Sequence, residues 1–231
     1  MTNLIPTLGI LFLVWVLFSG LGNVFSKITS QLITIPIFII SLVLHELSHA
    51  YMADFLGDPT PRLSGRLTLN PLKHLDIVGT LLFFICGFGW AKPVEVDSSH
   101  FRKPNRAMVS VGLAGPLCNF LLAILSCLAI KYISILSGLN PFLYIKTITG
   151  YILLTALQIN IILAVFNLIP VPPLDGSRLI YYLLPPKYKA IYYRIQEHSF
   201  LVFAFLFIFG GQIITPIVTN LIQELFRLIV L

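Results

Sequence analysis

Apolar runs of about the length a helix needs to cross a bilayer recur along this chain, at residues 4–25, 32–56, 107–135, 143–169 and 200–231. Their repetition decides the fold class. Only 10% of the residues are charged, whereas a soluble domain carries about 25%. With 57% hydrophobic residues, the chain cannot clothe a surface that faces water. It is therefore expected to be an all-α polytopic membrane protein, a bundle of about five or six transmembrane helices. Its 231 residues leave no length for a separate soluble domain, so residues 1–231 are expected to form a single domain.

Polar residues and helix breakers mark where the runs stop. Gly57, followed by Asp58 and Pro59, closes the second run. Residues 77–88 are apolar over only half a span and read as a re-entrant or interfacial segment, interrupted at Gly87 to Trp90. Residues 91–96 read as a short strand, which gives a re-entrant/β-hairpin segment between the second and third spans. Pro170, Pro172 and Pro173 end the fourth run, because none can donate a backbone hydrogen bond. The last run is broken at Gly210-Gly211 and Pro216 and reads as one span or two.

Charge orients the bundle. Seven basic residues fall between residues 57 and 106 and four between 171 and 197, against Lys27, Lys131 and Lys146 on the opposite side. The richer side is expected in the cytoplasm, with the N-terminus starting there. The first run lacks a basic leader and a small-residue cleavage site, so no cleavable signal peptide is expected. The net charge of +6 forms no basic run or aromatic platform, which excludes nucleic acid as a partner. Cys86, Cys118 and Cys127 lie in apolar stretches without CxxC spacing, which argues against a disulfide framework or thiolate metal site. His74, His100 and His198 are expected at the interface or in solvent.

The chemistry concentrates in the second run, at His45-Glu46-Leu47-Ser48-His49. Residues four apart share a helix face. Two imidazoles so placed can bind one metal, and the glutamate beside them can act on a metal-bound water. Three ionisable groups in an apolar span are costly and mark function. The eleven or so residues before Gly57 put His45 roughly 16 Å inside the helix end. A catalytic zinc site uses three protein ligands, so a third must come from another span. Asp175, after the proline-broken helix, is the best candidate; an ordinary N-cap of the next helix is the alternative.

At these two places the chain resembles the site-2 protease family, the intramembrane zinc metalloproteases. The residues concerned are His45-Glu-Leu-Ser-His49-Ala-Tyr and Asn167-Leu-Ile-Pro-Val-Pro-Pro-Leu-Asp175-Gly176. The stretches from Gly65 to Thr80 and from Gly87 to Val94 resemble the family's membrane-associated loop and strand region. Gly112-Leu-Ala-Gly115-Pro-Leu-Cys-Asn119 resembles its GPxxN stretch. The resemblance implies a compact member without a PDZ or CBS domain, with a catalytic core at about residues 32–178. It implies one Zn2+ per chain held by His45, His49 and Asp175, with Glu46 as the catalytic base. It also implies Asn119 and Gly115 as substrate-binding or oxyanion residues, beside the extended substrate or the developing oxyanion; Gly115 is small enough to allow close helix approach. Interhelical hydrogen bonding is the alternative for Asn119.

The expected reaction is hydrolysis of a transmembrane or membrane-anchored protein, with a regulatory partner or the bundle itself supplying any gating. A multi-pass position in a prokaryotic plasma membrane is expected. An inactive homologue that retains membrane proteins, or a metal transporter, would be the competing classes. The carboxylate of Glu46 speaks against the first. Convergence of the polar groups at one depth speaks against the second.

Overall fold

The computed structural model describes residues 21–86 and 91–231. The expected first span, residues 4–25, lies mostly outside the described residues, as does the interruption at Gly87 to Trp90. Among the described residues, four helical stretches are long and apolar enough to cross a membrane: Gln31–Phe55, Pro104–Leu136, Ile148–Asn167 and Gly211–Val230. The protein is an all-α polytopic membrane protein. Its principal helices are α1 (Leu21–Phe55), α2 (Ile77–Cys86), α3 (Pro104–Leu136), α4 (Ile148–Asn167), α5 (Asp175–Leu183), α6 (Pro186–Glu197), α7 (Ser199–Phe209) and α8 (Gly211–Leu225).

Helix boundaries follow local chemistry. After α1, Gly57 adopts a φ of 109°, a left-handed conformation that glycine enters without a Cβ clash. The N–H of Asp58 then reaches the carbonyl of Ala53, and that of Gly57 the carbonyl of Asp54. This pairing satisfies carbonyls that the helix end leaves bare. Gly138, with a φ of 67°, closes α3 in the same manner. Pro104 opens α3 at its first turn, where a missing N–H is harmless. The fourth span begins later than the apolar pattern suggests. Asn140 caps a separate four-residue helix, Pro141–Tyr144, and Thr147 caps α4 by accepting from the N–H of Gly150.

α3 is the central element and packs on α1, α4 and α5. Its buried face is built largely from small residues, including Gly112, Ala114, Gly115, Ala123 and Cys127. Small side chains let helix backbones approach closely where lipid offers no hydrophobic drive for association. Towards its C-terminal end, Ala123, Cys127 and Ile130 form an apolar cluster with Tyr144, Leu157, Ile161, Val218 and Val230.

The loop between α1 and α3 is pinned rather than floating. Asp58 is fully buried and accepts from the N–H groups of Thr60 and Asp97. Arg66, also buried, donates to the carbonyls of Lys73, Lys92 and Pro93. His74 is fully buried and its Nε2 meets the Thr68 carbonyl at 2.8 Å, which corrects the expectation of an interfacial or solvated side chain. Residues 77–86 form the helix α2, half a span long. The stretch expected as a strand at residues 91–96 forms a single antiparallel bridge, Ala91 to Leu75, and no longer ladder is present among the described residues.

Candidate active site

His45 and His49 stand one helical turn apart in the C-terminal third of α1, in a stretch buried on almost every side. Ten residues separate His45 from Phe55, a depth of roughly 15 Å along the helix. The two Nε2 atoms lie 3.1 Å apart. Oδ2 of Asp175 lies 3.1 Å from each of them. The three donors thus converge on one point although 126 residues separate His49 from Asp175.

Asp175 reaches that point because of the proline loop. α4 ends at Asn167, and the chain turns through Leu168 to Leu174 before α5 starts at Asp175 itself. The N-cap position belongs to Leu174, so Asp175 is not the ordinary helix cap that its sequence position also allowed. Gly176 makes the fold-back feasible. A Cβ there would lie 2.5 Å from the Ile169 carbonyl oxygen, so only glycine lets α5 press against the end of α4.

The other imidazole nitrogens are also held. Nδ1 of His49 lies 2.6 Å from the carbonyl of Val111. A carbonyl can only accept, so the imidazole hydrogen sits on Nδ1 and leaves the Nε2 lone pair free. Nδ1 of His45 lies 2.5 Å from Oδ1 of Asn119. Asn119 is completely buried, and its amide nitrogen donates to Oδ1 of Asn160 at 2.8 Å and to the Ser41 carbonyl at 3.4 Å. Both ends of this amide are therefore spent inside the bundle.

The donor set fits zinc. Two imidazoles presenting free Nε2 lone pairs and one carboxylate form a three-ligand group whose donor atoms lie within 4.8 Å of one another. Hydrogen bonds from the remote ring nitrogens hold metal-binding imidazoles in orientation, and both are present here. Glu46 is 9% exposed, and its carboxylate accepts no hydrogen bond among the described residues. Gly115 lies against the imidazoles. A Cβ there would stand 2.6 Å from Nε2 of His45 and would also collide with Nε2 of His49. Asn167 turns back on its own helix and donates to the Leu163 carbonyl at 2.9 Å.

Comparison with known proteins gives the family. Residues 143–210 match peptidase family M50. The chain is 40% identical over 189 residues to "Putative zinc metalloprotease YwhC" of Bacillus subtilis, covering 77% of this chain and 82% of that protein. The chain belongs to peptidase family M50, the site-2 protease family. This M50 protein is a zinc metalloprotease. It is also 29% identical to "Putative zinc metalloprotease Rip2" of Mycolicibacterium smegmatis, over 74% of this chain and 64% of the relative. With "Zinc metalloprotease MJ0392" of Methanocaldococcus jannaschii it shares 30% identity, over 78% of this chain and 41% of the relative. No solved structure matches the M50 chain.

Asn160 and Ser41 escaped the sequence reading. Both are buried polar residues in apolar spans, and both complete the hydrogen bonding of Asn119. Their signal was polarity at a buried position, without any spacing that would tie them to the histidines.

Proposed function

We propose that this protein is an intramembrane endopeptidase whose residues 32–178 form the catalytic core and whose substrates are membrane-spanning or membrane-anchored proteins. His45, His49 and Asp175 hold one zinc per chain, and Glu46 is the catalytic base. The observation that carries this reading is the meeting of three donors from α1 and α5 at a depth of roughly 15 Å. A peptide bond in a transmembrane helix is shielded and already hydrogen-bonded, so hydrolysis requires water and a strong nucleophile at that depth.

Zinc, when bound, lowers the pKa of water and polarises a carbonyl. The chain's own residues do the rest. The Glu46 carboxylate takes a proton from the attacking water and hands it to the leaving amide nitrogen. Gly115 keeps the space beside the imidazoles clear. Asn119 orients His45 rather than meeting the substrate, since its amide is already committed on both ends.

The segment from Gly57 to Arg106 and the segment from Val171 to Glu197 carry eleven basic residues, so we place them on the cytoplasmic side, in a prokaryotic plasma membrane. Gating falls to the bundle or to a regulatory partner.

The test is cleavage of a tagged membrane-inserted substrate by detergent-purified protein, with and without chelator, beside a soluble peptide of the same sequence. Cleavage of the inserted substrate should stop with chelator and return with zinc. Equal cleavage of both substrates would refute the intramembrane assignment. Cleavage that survives complete zinc removal would refute the metal assignment.

A further inference from the structure

Asn160, on α4, hydrogen-bonds to neither histidine among the described residues. Its amide nitrogen donates to the carbonyl of Ala156 at 2.9 Å and to Oγ of Ser41 at 2.9 Å. Its Oδ1 accepts from the amide nitrogen of Asn119. This order cannot be reversed. Turning the Asn160 amide over would set its oxygen against the Ala156 carbonyl, and two acceptors repel. With Oδ1 of Asn160 fixed, Asn119 must present its nitrogen to Asn160 and its oxygen to His45. An amide oxygen only accepts, so His45 must carry its hydrogen on Nδ1.

We infer that Asn160 is a positioning residue that sets the tautomer of His45 through Asn119 and thereby keeps the Nε2 lone pair aimed at the metal. The polarity begins at a backbone carbonyl of α4, passes through two side-chain amides, and ends at an imidazole of α1. The carbonyl of Ser41 also faces the Asn119 nitrogen, but at 3.4 Å against 2.8 Å for Asn160. Asn160 is therefore the stronger of the two restraints. Burial of an amide in an apolar span is unfavourable unless it is hydrogen-bonded, and here every bond serves this one chain. The inference rests on the reading of His45, His49 and Asp175 as the zinc ligands.

The experiment compares zinc retention by full-length, zinc-loaded protein in detergent against a graded series of competing chelators, with zinc measured by elemental analysis. Asn160→Leu conserves bulk but removes the acceptor, and should weaken zinc binding about tenfold or more, the range seen when partners of metal ligands are lost. Asn160→Asp is the rescue. Burial in an apolar span favours its protonated form, whose hydroxyl donates to the Ala156 carbonyl while its other oxygen offers an acceptor to Asn119, so the polarity persists and zinc retention should stay within about threefold of the parent. A purely structural role would make both variants fail alike, and that result overturns the proposal. Retention by Asn160→Leu within about threefold of the parent, against the tenfold loss expected, also overturns it. Should Asn160→Leu not fold, Asn160→Ala takes its place, with the same two outcomes. Asp175→Ala separates the proposal from the reading beneath it. If the parent holds zinc and Asp175→Ala does not, the site reading stands whatever Asn160 does. If the parent holds no zinc, or Asp175→Ala retains it fully, the site reading falls and the proposal falls with it.

Discussion

The two halves of α3 face the same bundle and do opposite work. The half up to Asn119 presents Gly112, Gly115 and the Asn119 amide towards α1 and α5, beside Asp175 and the buried His45 and His49. The half after Asn119 presents Ala123, Cys127 and Ile130 to an apolar cluster with Leu157, Ile161 and Val218. One helix thus keeps a rigid apolar end and a polar end whose side chains are held by hydrogen bonds. Burial serves both, by dense packing in one and by low polarity around fixed dipoles in the other. The chemistry and the strength of the bundle are thus separable.

The largest way to break that separation is at Glu46. Glu46→Gln should lower cleavage by about 10²–10⁴-fold, the range for loss of a general base, while zinc per protein and thermal unfolding stay unchanged. Turnover near the parent rate in a tagged-substrate assay would remove Glu46 from its role. Gly115→Ala should come next. Its new methyl would enter the space of both imidazoles, and displacement of about 1 Å at a catalytic group costs on the order of 100-fold in rate. Zinc affinity should drop as well, which single-turnover cleavage and elemental analysis would report together.

At the apolar end the pattern should invert. Leu157→Ala should destabilise the fold by about 2–5 kcal/mol, yet leave zinc affinity and rate per folded molecule unchanged. Denaturant unfolding beside the cleavage assay would show it, and a matching loss of zinc would join the two halves into one unit. The smallest effect belongs to Arg62, whose guanidinium pairs with Asp54 at the exposed end of α1. Arg62→Ala should change neither rate nor unfolding midpoint measurably, because exposed ion pairs contribute little.

How much of this was legible in the sequence depended on whether chemistry left a spacing. His45 and His49 are four apart, and helical periodicity alone puts them on one face. Asp175 was legible because three prolines break an apolar run just before it. The polarity of Asn160 and Ser41 was visible, but their partners lie 41 to 119 residues away, and no local period encodes such contacts. The burial of Arg66 and His74 was hidden for another reason. In a loop, such residues read as topology signals or solvated groups, and only the carbonyls of Thr68, Lys73, Lys92 and Pro93 make their burial tolerable. The stretch at residues 91–96 has one bridge because strand character needs a pairing partner, which a sequence pattern does not supply.

The distance along the chain between the imidazoles and the carboxylate also bears on how the protein is born. His49 leaves the ribosome 126 residues before Asp175. Until the proline loop has been synthesised and α5 has docked, the nascent chain holds only two of the three donors. On the proposed ligand set, the centre stays incomplete until α5 has docked, which ties metal-dependent chemistry to closure of the bundle.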